Sequence, residues 1–139
     1  MLEVKARWIG GYKFEGEDGE GHTVRMDWSK QVGGDGDGLR PAELPLWGLA
    51  GCEGSDTISI LKKMKEPVES LEVTVRAEKK EGYPAGLVSI EVEYVVTGKG
   101  LSAEKVEKAI KLSEEKYCSV GGALRDPTPI THKMVIKGD

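Results

Sequence analysis

From Leu2 to Trp8, apolar and polar residues alternate. Leu2, Val4, Ala6 and Trp8 fall on one side of an extended chain, and Glu3, Lys5 and Arg7 on the other. A period of two is that of a half-buried strand. Gly10-Gly11 marks a turn. A second strand is expected from Tyr12-Lys13-Phe14 and a third from His22 to Trp28. Between them, residues 15–21 are only acidic residues and glycine, so the pattern predicts an exposed loop that buries nothing. Residues 33–38, Gly-Gly-Asp-Gly-Asp-Gly, predict a second loop. A calcium loop starting at Asp35 needs a glutamate at its twelfth position, where Leu46 stands, so this loop reads as merely solvated.

The period then changes. From Pro41 to about Lys65 apolar residues crowd nearly every side of a helix, including Leu44, Trp47, Leu49, Cys52, Ile58 and Leu61. A helix apolar all round is a buried one. Pro41 suits its first position, whereas Pro45 removes a hydrogen bond one turn in, so the opening turn should be irregular. Lys62, Lys63 and Lys65 complement the C-terminal dipole, and Pro67 stops the helix. Leu71, Val73, Val75 and Ala77 alternate with charged or polar neighbours, as do Val88, Ile90, Val92 and Tyr94. With residues 82–86 as the turn, they predict an antiparallel pair with one wet face. A second, amphipathic helix should start behind Ser102 as its N-cap, with Val106, Ala109, Ile110, Ser113 and Tyr117 on one face. Cys118 falls at or just past its end, and a last strand is expected over His132 to Lys137. The order β-β-β-α-β-β-α-β is that of an α+β protein, expected as a single domain over residues 1–139.

Composition narrows the chemistry. Charged residues make up 32% and apolar ones 38%, which suits a packed domain and not a disordered chain. No run approaches the roughly 20 apolar residues that span a bilayer, and residues 1–5 lack the apolar core of a signal peptide. A cytoplasmic protein without membrane contact is the expectation. A net charge of −4 argues against a broad basic face for nucleic acid. With two histidines and two cysteines, neither His22 nor His132 having a ligand at evident spacing, no metal site and no cofactor are expected. The two cysteines are also too few for a secreted disulfide scaffold. Thiol chemistry is what remains.

Cys52 lies inside the apolar helix between Gly51 and Gly54, with Asp56 one turn on. Read from these residues alone, it is either a small buried hydrophobe or a nucleophile, and the second role needs a thiolate. Asp56 opposes that ionisation, so a cation must come from elsewhere, with Arg40, Arg25 and Arg7 as candidates.

The run from Pro41 to Cys52, Pro-Ala-Glu-Leu-Pro-Leu-Trp-Gly-Leu-Ala-Gly-Cys, resembles the P-x-E-L-L-L-x-x-L-A-G-C segment of the OsmC/Ohr family. It continues through Asp56 and Ile60-Leu61-Lys62-Lys63-Met64, similar to the family's smaller OsmC-like (YhfA-type) branch. Leu112 to Val120, around Cys118, resembles the family's second cysteine motif, and Gly21-His22 with Asp27 is also similar to that branch. This resemblance implies an OsmC-like fold in which antiparallel sheets wrap two central helices of an intertwined homodimer. It further implies a thiol-dependent peroxidase for organic hydroperoxides. Cys52 would attack the distal peroxide oxygen and become a sulfenic acid; Cys118 would condense with it to a disulfide, and a dithiol reductant would reopen the bond.

The hydroperoxide-reductase branch has an arginine directly after its Gly-Gly and a glutamate ten residues before the cysteine. Tyr12 and Ala42 stand at those places here, and Arg40 with Glu43 is the candidate substitute pair. The alternative function is a non-enzymatic OsmC-like protein that binds a small ligand or senses redox state.

Overall fold

The computed structural model of the protein describes residues 2–82, 86–125 and 128–137. The chain gathers into two compact units, Met1–Gly48 and Leu49–Asp139.

The first unit is a three-stranded antiparallel meander of β1 (Lys5–Gly10), β2 (Lys13–Glu17) and β3 (Thr23–Met26), in that order. Gly10 and Gly11 make the first turn with φ of +112° and +53°, which glycine adopts without steric cost. Opposite Trp8 stands Phe14, and opposite Phe14 stands Met26. Two expectations change. β2 runs on to Glu17, and Gly16, assigned by its polarity to a loop, is buried: a Cβ there would sit 3.2 Å from Val24 Cγ1. Leu2 and Val4 precede β1 and are exposed, and Trp8 keeps 63% of its surface, so the alternating face is not half-buried within this unit.

Beyond β3, Asp27 organises the glycine-rich loop. Its carboxylate is fully buried and accepts the backbone N–H groups of Trp28 (2.8 Å), Asp35 and Asp37 (3.1 Å each). Burial opposes its ionisation, but the three N–H groups, with Lys13 nearby, outweigh it and hold the carboxyl below its ordinary value. Gly34 is required here, since a Cβ would fall 2.0 Å from Trp28 O. Residues 33–38 are therefore a pinned loop with solvated tips. A 3-10 turn, Pro41–Glu43, then leads into α1 (Leu44–Lys63), which is the irregular opening that Pro45 calls for.

In the second unit β4 (Ser70–Lys79) and β5 (Leu87–Thr97) form the expected antiparallel pair; Tyr83, Pro84 and Ala85 of the connection lie outside the described residues. Val73 faces Tyr94, Val75 faces Val92 and Ala77 faces Ile90 on the inner side. On the wet side Arg76 bridges Glu91 (3.1 Å) and Glu93 (3.4 Å). Against the inner side lies α1, where Gly54 leaves only 3.5 Å for a Cβ before Val73. Leu49, Glu53, Thr57 and Leu61 are its buried residues, one per turn. α1 is thus buried along one stripe, not all round, and half of that stripe is polar.

α2 (Ala103–Leu112) begins as expected, with Ser102 Oγ accepting from Lys105 N. It ends in a wide turn, Ser113–Tyr117, where Cys118 N donates to Ser113 O across five residues (2.8 Å). This π-turn adds one residue to the helical phase. As a result Ala109 and Ser113 stay buried, whereas Tyr117, predicted on the same face, is half exposed. A short helix not predicted from the sequence, α3 (Ser119–Arg125), comes next. The expected last strand over His132–Lys137 does not form. Residues 128–137 have no regular structure, and Met134, Val135 and Ile136 are exposed, because a strand needs a ladder partner and none of the described strands pairs with this one.

Candidate functional site

Cys52 and Cys118 are both free thiols of the second unit, the first half-buried and the second buried. Their approach is set by local geometry. Ser113 Oγ, at the head of the π-turn, donates to Glu53 O (3.1 Å) and ties that turn to α1 beside Cys52. The π-turn ends at Cys118, whose Sγ accepts from Gly121 N at 3.2 Å in the first turn of α3. A Cβ on Gly121 would lie 3.4 Å from that sulfur, so glycine permits the approach. Burial pushes the Cys118 thiol up to about 11; the Gly121 N–H acts against this, while the Cys52 thiol beside it and the Glu53 charge add to it. At neutral pH Cys118 is therefore held as the thiol. Its proton must be removed before it can act as a nucleophile.

Four residues to which the sequence assigned no role, Glu53, Tyr94, Glu114 and Arg125, form a cluster that adjoins this pair through Glu53. Glu53, 2% exposed, meets the Tyr94 hydroxyl, which also lies 3.2 Å from Glu114 Oε1. Burial raises the Glu53 carboxyl above its ordinary value; Glu114 and Asp56 add to the rise, and the Tyr94 hydrogen bond and Arg125 oppose it. The Tyr94 phenol is raised as well, first by burial and then by Glu53. Arg125 Nη1 donates to Glu114 O at 2.8 Å. Glu53, Glu114 and Arg125 supply the charged part of a cleft of about 430 Å3 whose other walls include Leu49, Ile90 and Leu124, with Gly121 between. The four-residue step Leu49-Glu53-Thr57-Leu61 places Glu53 on the buried stripe of α1, but with two of its four residues polar the step does not stand out in the sequence.

Arg40 and Glu43 lie in the first unit. Arg40 flanks the 3-10 turn and donates Nη1 to Gly38 O (3.2 Å), and Glu43 N donates to Arg40 O (2.9 Å). Among the described residues, no ion pair joins their side chains. Arg25 is engaged with Asp37 at 3.1 Å and Glu15 at 3.8 Å. The expectation that His22 lacks a nearby ligand needs correction. Its Nδ1 lies 2.6 Å from Asp18 Oδ2, and Asp18, Glu20 and His22 bring their polar atoms within 4.8 Å of one another. All three are exposed, and the Asp18 carboxylate accepts the N–H groups of Glu20 and His22, so the cluster is accounted for as a side-chain-closed turn.

Known proteins resemble this chain along most of its length. The family model described as OsmC-like protein matches residues 34–133. Protein YhfA of Escherichia coli (strain K12) is 36% identical over 136 residues, covering 97% of this chain and 98% of its own. The crystal structure of a hypothetical protein from Aquifex aeolicus VF5 superposes with a TM-score of 0.79 at 30% identity, over 90% of this chain and 87% of that one. An organic hydroperoxide resistance protein from Elizabethkingia anophelis shares the fold with a TM-score of 0.64 at 21% identity, over 90% and 89%.

Proposed function

The chain belongs to the OsmC-like protein family, and on that footing we propose that it is a thiol-dependent peroxidase for organic hydroperoxides. In this reading the Cys52 thiolate attacks the distal peroxide oxygen: the S–O bond forms, the O–O bond breaks, and the alkoxide leaves as an alcohol after taking a proton. The Cys118 thiol then displaces water from the Cys52 sulfenic acid, giving a Cys52–Cys118 disulfide that a dithiol reductant reopens. Arg40 with Glu43 is the candidate substitute for the family's arginine and glutamate, whose usual places are taken here by Tyr12 and Ala42. The protein works as a homodimer in the cytoplasm, in defence against oxidative stress.

The observation that carries this reading is the convergence of two free cysteines from distant parts of the sequence: the turn that ends at Cys118 is tied through Ser113 to Glu53, the residue after Cys52 (3.1 Å), and Cys52 is among the groups that raise the Cys118 thiol. A cleft reached by Glu53 and Gly121, neighbours of the two cysteines, offers Leu49, Ile90 and Leu124 to the alkyl group of such a substrate. Consumption of cumene hydroperoxide in the presence of a dithiol tests it. Cys52→Ser should abolish turnover, and Cys118→Ser should leave a sulfenic acid that dimedone traps. Turnover that survives Cys52→Ser overturns the proposal.

The same cleft favours one second reading, a binding protein for a small apolar ligand with a redox-sensitive thiol pair. A co-purifying ligand seen by native mass spectrometry, with no peroxide consumed, is its signature.

A further inference from the structure

We propose that Glu53, Tyr94 and Glu114 form a proton relay that serves the dithiol pair, with Glu53 and Tyr94 as positioning residues in the thiol chemistry. This rests on the peroxidase reading above. The geometry carries it through a count of protons. Two carboxyl groups bracket one phenol within hydrogen-bonding distance. A phenol has one hydrogen and can donate to only one of them. The other contact is a hydrogen bond only if that carboxyl is protonated and donates to Tyr94 Oη. Glu114 keeps part of its surface on the cleft wall, whereas Glu53 is fully buried, so the charge belongs on Glu114 and the proton on Glu53.

The groups facing Glu53 agree with this placement. Asp56 on α1, Tyr94 on β5 and Glu114 on the π-turn surround it, Arg125 of α3 acts on it as a cation, and Cys118 feels its charge. A charged Glu53 opposes the Cys118 thiolate; a protonated one does not.

The chemistry has use for such a store. When the O–O bond breaks, the departing alkoxide needs one proton, which the relay supplies and solvent replaces through Glu114. When the disulfide forms, the S–S bond is made, the S–O bond of the sulfenic acid breaks, and hydroxide leaves. Cys118 gives up its thiol proton to the relay and the hydroxide takes one from it, so water forms with no net change in the relay.

Infrared difference spectroscopy of the native protein reads the first part directly. A protonated-carboxyl C=O band should persist at neutral pH, shift with 13C-glutamate and vanish in Glu53→Gln. Disulfide formation reads the second part, driven once by cumene hydroperoxide and once by diamide, which oxidises thiols without a peroxide. Tyr94→Phe and Glu53→Gln should each slow disulfide closure about tenfold at pH 7 in both arms, and the pH profile should become shallow. If native protein consumes no hydroperoxide but the band and the diamide effect are present, the peroxidase reading fails and the relay stands. A missing band, or closure in both variants at the native rate with the native pH profile, overturns the relay.

Discussion

At the scale of single residues, two buried carboxyl groups bend pH dependence in opposite directions. Asp27 is held below its ordinary value of 3.8 by backbone N–H donors. Its contribution to stability is therefore complete above 3.8 and fades as pH falls towards the lower folded value. Glu53 is raised above 4.5, so its contribution is complete below 4.5 and fades as pH rises towards the folded value. Asp27→Asn should lower the melting temperature near neutrality and flatten its decline in acid, because the group that titrates is gone. Thermal melts from pH 3 to 7 check this, and an unchanged acid limb contradicts it. Neither carboxyl announces itself in sequence. Asp27 falls in the sequence pattern of the third strand, with nothing to show that the glycine-rich loop closes on its carboxylate, and Glu53 looks like a solvated charge until α1 is docked against β5.

Among the elements, the alternating pairs were legible because a period of two survives any tertiary detail. Val73, Val75, Ile90, Val92 and Tyr94 all point where their spacing says. The start of α2 was equally plain, since Ser102 caps a strongly amphipathic helix. The π-turn was not, because an extra backbone residue leaves hydrophobic spacing intact up to Ser113 and displaces only the residues beyond it. α3 carries two glycines in seven residues, which local propensity reads as loop. α1 depends on packing, not propensity, given Gly48, Gly51 and Gly54 along its length. Leu61, fully buried near its end, should therefore matter greatly. Leu61→Ala is expected to cost about 2–5 kcal/mol in chemical denaturation. A loss below about 1 kcal/mol would show that α1 is not anchored at that turn.

For the molecule as a whole, apolar surface is the informative quantity. Trp8 and Phe14 in the first unit, and Val88 with residues 130–136 in the second, leave large side chains open to water. Large apolar side chains left open within a unit mark candidate interfaces. That exposure supports the proposed homodimer. Light scattering at micromolar concentration should give twice the chain mass of 15.1 kDa. A monomer at every concentration would refute it. The failure of the predicted last strand belongs to this scale as well: its alternation is plain in the sequence, but a strand's existence depends on an edge to join, which no local pattern specifies.

The π-turn makes chain length itself a variable. One residue removed at exposed Glu115 would convert Ser113–Tyr117 to ordinary α-helix and turn everything after it by about 100°. The result would be a more regular helix with Cys118 and Gly121 swung together away from α1 and Cys52. A redesign scored on helical ideality would choose that deletion, and in doing so would unmake the pair of thiols.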